Sequence, residues 1–153
     1  MDHIKGSQNQ IDWKHFLKSG DRIFIGSNAA VPNALMDQLI DEQASALNDI
    51  EVVHILTLRE NRWAQKQYQD TFTLNALFLG QGTREAVHEG YADYTPCFLS
   101  EIPSLFHDKT LPIDVALISV SLPDPHGYCS LGVSVDVVHA AARSIRYEIA
   151  QIN

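Results

Sequence analysis

The feature that most constrains the fold is the alternation of strand-like and helix-like segments along most of the chain. Apolar runs rich in β-branched side chains occupy residues 22–25, 51–57, 72–79, 113–120 and 145–152. Helical apolar spacing separates them at residues 32–47, 84–89, 100–107 and 133–143. This order predicts an α/β fold, with a mostly parallel sheet and helices on both of its faces.

Shorter elements and their boundaries complete the prediction. Residues 12–18 are expected to form a short helix and residues 94–98 a short strand. Thr83 and Ser134 are the side chains expected to cap the starts of the helices that follow them, and Gly90 is placed to end the first of these. In the last helix, Val133, Val137, Ala140 and Ala141 are expected to share one face.

The composition of the chain indicates which kinds of molecule it is not expected to bind. The 153 residues carry a formal net charge of −8 without a cluster of Lys or Arg, which argues against nucleic acid and anionic membranes. No apolar run is long enough to cross a bilayer, and two distant cysteines do not indicate a disulfide framework. We therefore expect a cytoplasmic protein with a disordered start at residues 1–10 and one domain over residues 11–153.

The first candidate for a binding site is the loop at residues 26–32, between the first strand and a helix. Its side chains are small at Gly26, Ser27 and Ala30, which would let a ligand approach the backbone, and Pro32 suits a helix start. Free backbone N–H groups at such a start favour a carboxylate or phosphate. A tight turn with no ligand is the alternative interpretation.

The second candidate is the polar crossing SVSLPDPHGYCSLGVSVD at residues 119–136, which leaves a strongly apolar strand. Loops that leave parallel strands are common places for sites in α/β proteins. Asp124 between two prolines is expected to form a turn, and Cys129 to be a small packed residue. His126 is expected to be a turn residue or a ligand contact, because no third group is evident that would orient a Cys–His pair.

Other polar stretches carry weaker signals. Arg59, Arg62 and Trp63 could bind a carboxylate or phosphate, although a solvated loop is the favoured interpretation of these residues. The sequence Gly80-Gln81-Gly82 lacks the third glycine of a dinucleotide-binding loop. The histidines form neither HExxH nor a close His/Cys cluster, so no metal site is predicted, and His54 is expected to be a structural residue of its strand.

Taken in order, several stretches resemble the N-terminal half of the acetyl-CoA hydrolase/transferase family, which includes 4-hydroxybutyrate, butyrate and succinate CoA-transferases. The pieces that carry the resemblance are SGDRIFIGSNAAVPNAL, EVVHILTL, NALFLGQGTREAVHEGYADYTPCFLSEIPSLF, LPIDVALISVSLPDPHGYCSLGVSVD and EIAQIN. The resemblance runs from about Ser19 to the last residue. It implies the NagB/RpiA-like α/β fold of a CoA-transferase N-terminal domain, without the C-terminal catalytic domain.

The resemblance also implies a reaction. Members of this family transfer coenzyme A between a short-chain acyl-CoA and a free carboxylate through a glutamyl-CoA intermediate, and the catalytic glutamate belongs to the absent half. Glu60, Glu85, Glu89 and Glu101 are therefore not expected to be that nucleophile, and no catalytic residue is assigned here. Coenzyme A is a substrate in this scheme, and no cofactor is expected.

By the same resemblance, this chain contributes one wall of the site. The substrate-binding residues implied are Gly26, Ser27, Ala30, Pro32, Thr57, Ser121, His126 and Gly127. The loop at residues 26–32 and the loop opening at Thr57 are expected to face the acyl or carboxylate group. Residues 121–128 are expected near the cleft between domains.

The expected partners are acyl-CoA, short carboxylates and the missing C-terminal domain, with a homodimer as the full-length form. The isolated chain is expected to be inactive. Three alternatives remain open: an acyl-CoA hydrolase, a non-catalytic half-subunit completed by a partner chain, and a nucleotide-binding Rossmann domain. The last is disfavoured because the glycine fingerprint fails.

Overall fold

A computed structural model describes residues 11–58 and 61–153 of the chain. The predicted disordered start at residues 1–10, together with Arg59 and Glu60, lies outside these residues. Six strands form one sheet in the order β4-β3-β2-β1-β5-β6, and every neighbouring pair is parallel. The predicted α/β class is confirmed, and the sheet is parallel throughout.

The elements alternate along the chain as the sequence pattern predicts. The strands are β1 (Arg22–Ile25), β2 (Ile50–His54), β3 (Phe72–Ala76), β4 (Ala92–Tyr94), β5 (Val115–Val120) and β6 (Tyr147–Ile152). The helices are α1 (Trp13–Phe16), α2 (Asn33–Gln43), α3 (Gln81–His88), α4 (Ile102–His107) and α5 (Val138–Ala142). Short 3₁₀ turns at Arg62–Ala64 and Lys66–Tyr68 lie between β2 and β3.

Side chains of the central strands alternate between two cores, one on each face of the sheet. In β1, Ile23 and Ile25 enter the core that includes α1, α2 and Ala86 of α3. Phe24 between them enters the core formed with α4 and α5, where its ring packs edge-on against Phe106 with centroids 5.5 Å apart. Helices therefore cover both faces, as predicted.

The predicted short strand at residues 94–98 is wrong, since the strand there is Ala92–Tyr94. The predicted cap at Thr83 is also wrong, because α3 begins at Gln81. The Thr83 hydroxyl is buried and donates to the carbonyl oxygen of Gly80 at 3.2 Å instead of accepting from the helix. Gly90 has a φ of +81° directly after the last turn, so its predicted role in ending α3 is confirmed.

The helix predicted over residues 133–143 is shorter in the structure. Ser134 and Asp136 have φ values of 55° and 30°, which a right-handed helix does not accept, and α5 begins only at Val138. Ser134 therefore does not cap it. Val137 and Ala141 are buried as predicted, whereas Val133 lies outside the helix with 68% of its surface exposed.

An ion pair joins the residue before β1 to the residue before β6. The carboxylate of Asp21 is buried, with 2% of its side chain exposed, and accepts a 2.8 Å hydrogen bond from the guanidinium of Arg146. It also accepts one from the backbone N–H of Lys18 at 3.1 Å. Arg146 thus links the segment before β6 to the residue before β1, across the amino end of β5. Among the described residues, no helix combines the length and the apolar character needed to span a membrane.

Candidate functional site

The strand order reverses at β1, and this places two loops side by side. The chain winds from β1 towards β4 on one side, and β5 and β6 lie on the other side. In open parallel sheets, ligands bind outside the carboxyl ends of the strands at such a switch point. Here that position is occupied by the loop at residues 26–32, after β1, and by the segment after β5.

Backbone hydrogen bonds fix the loop at residues 26–32 to both neighbouring strands. The N–H of Gly26 donates to the carbonyl oxygen of Leu117 in β5 at 3.0 Å. On the other side, the N–H of Asn28 donates to the carbonyl oxygen of Leu56 at 2.8 Å, and Asn28 forms an isolated parallel bridge with Thr57. The loops after β1 and β2 therefore form one wall, and the first of them is also bonded to strand β5.

The tight shape of this loop depends on Gly26. A Cβ atom at Gly26 would lie 2.8 Å from the carbonyl oxygen of Ala30, a distance that real Cβ contacts do not reach. The loop closes through a 2.9 Å hydrogen bond from the N–H of Ala30 to the carbonyl oxygen of Ser27. Gly26, Ser27, Ala30 and Pro32 are all buried, and Thr57 is half-buried. A residue without a Cβ atom at position 26 lets the backbone of Ala30 come as close as the turn requires.

Ser27 and Asp136 bring the loop after β1 together with the segment before α5. Ser27 is fully buried, and in residues 11–58 and 61–153 the group that its hydroxyl approaches is the carboxyl of Asp136. Desolvation raises the pKa of the Asp136 carboxyl, and hydrogen bonding from the Val137 N–H and the Ser27 side chain acts in the opposite direction. The Val137 N–H donates to Oδ1 of Asp136 at 2.5 Å. The Ser27 hydroxyl thus lies close enough to the Asp136 carboxyl to favour its ionised form.

Residues 121–130 form a hairpin-like excursion that stands away from the sheet. The N–H of Ser121 donates to the carbonyl oxygen of Ser130 at 2.9 Å, and the carboxylate of Asp124 accepts from the N–H groups of His126 and Tyr128, both at 2.9 Å. The turn role predicted for Asp124 is confirmed.

The side chains of this excursion face solvent. Ser121 is half-buried at its base, whereas His126 and Gly127 are exposed at its tip. Cys129 is also exposed, so its predicted role as a packed residue is wrong, because this segment has no neighbour to pack against in the described part of the chain. The sequence-predicted residues therefore form two groups: a buried wall after β1 and β2, and an exposed loop after β5.

Two polar side chains lie inside the sheet next to this wall. His54, the last residue of β2, is completely buried, and neither of its ring nitrogens has a hydrogen-bond partner among the described residues. Desolvation lowers its pKa from 6.5 to about 4, so the imidazole is neutral at pH 7. The buried hydroxyl of Ser119 in β5 likewise has no hydrogen-bond partner within the described part of the chain. The predicted placement of His54 within a strand is confirmed.

Arg62 forms ion pairs with two carboxylates of α2, which give it a structural role. Its guanidinium donates to Asp37 at 2.8 Å and to Asp41 at 2.7 Å, both on α2. Trp63 beside it is buried in the core. Three residues were candidates for binding an anion. Arg62 is already paired with two carboxylates, and Trp63 packs in the hydrophobic core. Arg59 lies outside the described residues. Within residues 11–58 and 61–153, no three His, Cys, Asp or Glu side chains are grouped to hold a metal ion.

A pocket of about 540 Å³ opens at the carboxyl end of the sheet, where the segments that lead into α4 and α5 meet. Its lining residues are Phe98, Leu99, Ser100, Pro103, Asp136 and Val137. No sequence pattern predicted this pocket. The available signal was the consecutive pair Phe98-Leu99, which is too apolar for a solvated loop. A second pocket, of about 300 Å³, lies beside α1 and the end of α2, away from these loops.

Comparison with known proteins decides the family. A model of the acetyl-CoA hydrolase/transferase N-terminal domain matches residues 9–153. The chain belongs to this family. A 4-hydroxybutyrate coenzyme A transferase of Clostridium kluyveri is 42% identical to it over 137 residues, which are 90% of this chain and 32% of that protein. A succinyl-CoA:acetate/propanoyl-CoA:succinate CoA transferase of Fasciola hepatica is 45% identical over 139 residues, or 90% of this chain and 29% of that protein.

Solved structures agree with the fold. RipA from Yersinia pestis superimposes with a TM-score of 0.83 at 27% identity, over 90% of this chain and 34% of that one. A 4-hydroxybutyrate CoA-transferase from Porphyromonas gingivalis gives a TM-score of 0.64 at 28% identity, over 92% and 31% of the two chains. This acetyl-CoA hydrolase/transferase domain thus spans about a third of the length of the relatives it matches.

Proposed function

We propose that this chain is the N-terminal part of an enzyme that moves coenzyme A between a short-chain acyl-CoA and a free carboxylate such as acetate. The observation that carries the proposal is the 42% and 45% identity to two CoA-transferases over 90% of the chain. The proposed donors are acetyl-, butyryl-, 4-hydroxybutyryl- and succinyl-CoA. Coenzyme A takes part as a substrate, no further cofactor is invoked, and the full-length form is proposed to be a homodimer.

The proposed mechanism is ping-pong and uses a glutamate outside this chain. The glutamate carboxylate attacks the acyl-CoA carbonyl and forms an acyl-glutamyl anhydride as the CoA thiolate leaves. The thiolate then attacks the glutamyl carbonyl, releases the first carboxylate and leaves a glutamyl-CoA thioester. The acceptor carboxylate repeats the two steps in reverse and leaves as its CoA ester. Covalent catalysis of this kind divides one difficult transfer into easier ones.

In this mechanism the present chain supplies one wall of the site. The fixed loop of Gly26, Ser27, Ala30 and Pro32, with Thr57 beside it, is proposed to face the acyl or carboxylate group through its backbone. Its hydrogen bonds to Leu56 and Leu117 support the proposal, because a binding wall must be rigid before substrate arrives.

The exposed loop after β5 is proposed to line the cleft towards the catalytic domain. Ser121, His126 and Gly127 lie on this loop. Large apolar side chains at the same end of the sheet are open to solvent, at 70% for Leu122, 75% for Tyr128 and 68% for Val133. An apolar surface of this kind supports the docking of a further domain.

The enzyme expressed from the complete coding frame that contains this chain tests the proposal. Butyryl-CoA is incubated with and without acetate, and the thioesters and free coenzyme A are separated and quantified. We expect acetyl-CoA to form only when acetate is present, with butyrate released in equal amount. Free coenzyme A released at the same rate with and without acetate would instead identify a hydrolase, in which water replaces the acceptor.

A further inference from the structure

The pocket between the segments before α4 and α5 combines an apolar wall with a single charge. Phe98 and Leu99 are 74% and 60% exposed, and they line the pocket with Pro103 and Val137. Among the described residues that line it, Asp136 is the one with a charged side chain. A volume of about 540 Å³ falls within the range of small-molecule sites, and a mostly apolar lining with few polar groups is typical of them.

The carboxylate of Asp136 is held in one orientation. Its Oδ1 accepts the 2.5 Å hydrogen bond from the Val137 N–H, and the backbone of Asp136 has a φ of +30°. Such a backbone conformation is sparsely populated and persists only where the surrounding structure enforces it. The pocket therefore presents a fixed hydrogen-bond acceptor beside an apolar surface.

The negative charge of Asp136 limits which part of an acyl-CoA this pocket can bind. The phosphates of the coenzyme A nucleotide and the acceptor carboxylate are anions, and a fixed carboxylate repels them. The pantetheine arm is neutral, has methylene and geminal methyl groups for an apolar wall, and carries amide N–H donors. It is the part of an acyl-CoA that matches both properties of this pocket.

Resting on the proposed function, we infer that this pocket binds the pantetheine arm of the acyl-CoA, with the Asp136 carboxylate accepting a hydrogen bond from an amide N–H of the arm. Phe98 and Leu99 then cover its apolar groups. The pocket lies at the carboxyl end of the same sheet as the loop at residues 26–32. An arm bound there delivers its thioester towards the switch point between β1 and β5.

Two substitutions distinguish a role of this pocket in substrate binding from a role in the stability of the fold. Phe98→Ala removes apolar contact with the arm. Asp136→Asn removes the charge, but its side-chain oxygen still accepts from the Val137 N–H, and Asn tolerates a positive φ. Phe78→Ala is the matched control, because Phe78 is also exposed, at 55%, and does not line the pocket. Thermal unfolding of each purified enzyme checks that the fold is kept.

The measurement is the KM of the full-length enzyme for acetyl-CoA and for acetyl-pantetheine, which lacks the nucleotide. We expect Phe98→Ala to raise KM about tenfold and Asp136→Asn about threefold, by the same factor for both substrates, with Phe78→Ala unchanged. Unchanged KM values in both variants of an active enzyme would overturn this inference alone. A loss with acetyl-CoA that disappears with acetyl-pantetheine would also overturn it, because it assigns the pocket to the nucleotide. A wild-type enzyme without transfer activity overturns the proposed function and this inference together.

Discussion

The backbone N–H of Asn28 donates to the carbonyl oxygen of Leu56 at 2.8 Å and ties the loop after β1 to the end of β2. Asn28 makes this bond with a φ of +52°, in the left-handed region. Asn tolerates that region better than other residues with a side chain, because its short polar side chain can bond locally. The wall at the switch point thus depends on a backbone conformation that few residues accept.

The conformation of Asn28 gives the first prediction. Asn28→Ala should lower the free energy of unfolding by about 1 kcal/mol relative to Asn28→Gly, since glycine accepts a positive φ without steric cost. Urea unfolding of the two variants measures the difference. Equal stability would mean that this conformation carries no strain for alanine.

The close approach at Gly26 gives the second prediction. Gly26→Ala should destabilise the domain by about 1–3 kcal/mol, because the new Cβ meets the backbone carbonyl of Ala30 at 2.8 Å. Gly80→Ala is the control: its Cβ meets only Cδ1 of Leu56 at 2.7 Å, the far end of a flexible side chain. Urea unfolding should separate the two variants, and equal losses would contradict this account of the loop.

The sequence predicts more of the fold than of the site. Apolar runs predict the strands well because each run enters two cores, as Phe24 and its neighbours do. The left-handed backbone at Ser134 and Asp136 was not predictable, since it depends on contacts made after folding, and it moved the start of α5. The pocket beside Asp136 was missed for the same reason: its lining comes from segments that are more than thirty residues apart in the chain.

The buried imidazole of His54 predicts how stability depends on pH. Its pKa is about 4 in the folded chain and 6.5 when exposed, so the unfolded state binds the proton first as the pH falls below 6.5. The contribution to stability is complete above pH 6.5 and is lost as the pH falls towards 4. At 1.36 kcal/mol per pKa unit, about 2.5 kcal/mol should be gone by pH 4.5.

A variant isolates this effect from the titration of the carboxylates. His54→Leu removes two unpartnered nitrogens, so it should match or exceed the wild-type stability at pH 7 and gain further on the wild type at pH 4.5. Urea unfolding of both proteins at the two pH values measures the gain. A stability difference that stays constant between pH 7 and pH 4.5 would show that His54 does not titrate in this range.

The pair between Arg146 and the buried Asp21 predicts an unequal effect of removing two arginines. Arg146→Met removes a charged partner of the buried Asp21 carboxylate and leaves it the Lys18 N–H, which should cost about 1–2 kcal/mol after allowance for the partial exposure of Arg146. Arg62→Met breaks pairs with the exposed Asp37 and Asp41, and we expect no measurable change. Urea midpoints of the two variants make the comparison. A larger loss for Arg62→Met would reverse this ranking.

The most direct test of the central claim compares the 153-residue chain with the enzyme from the complete coding frame, at equal molar concentration, with butyryl-CoA and acetate. The account predicts that the complete enzyme forms acetyl-CoA and that the chain alone forms none, because it supplies a wall of the site and not the glutamate. Steady-state formation of acetyl-CoA by the pure chain would contradict it, since the reactive group would then lie among these residues.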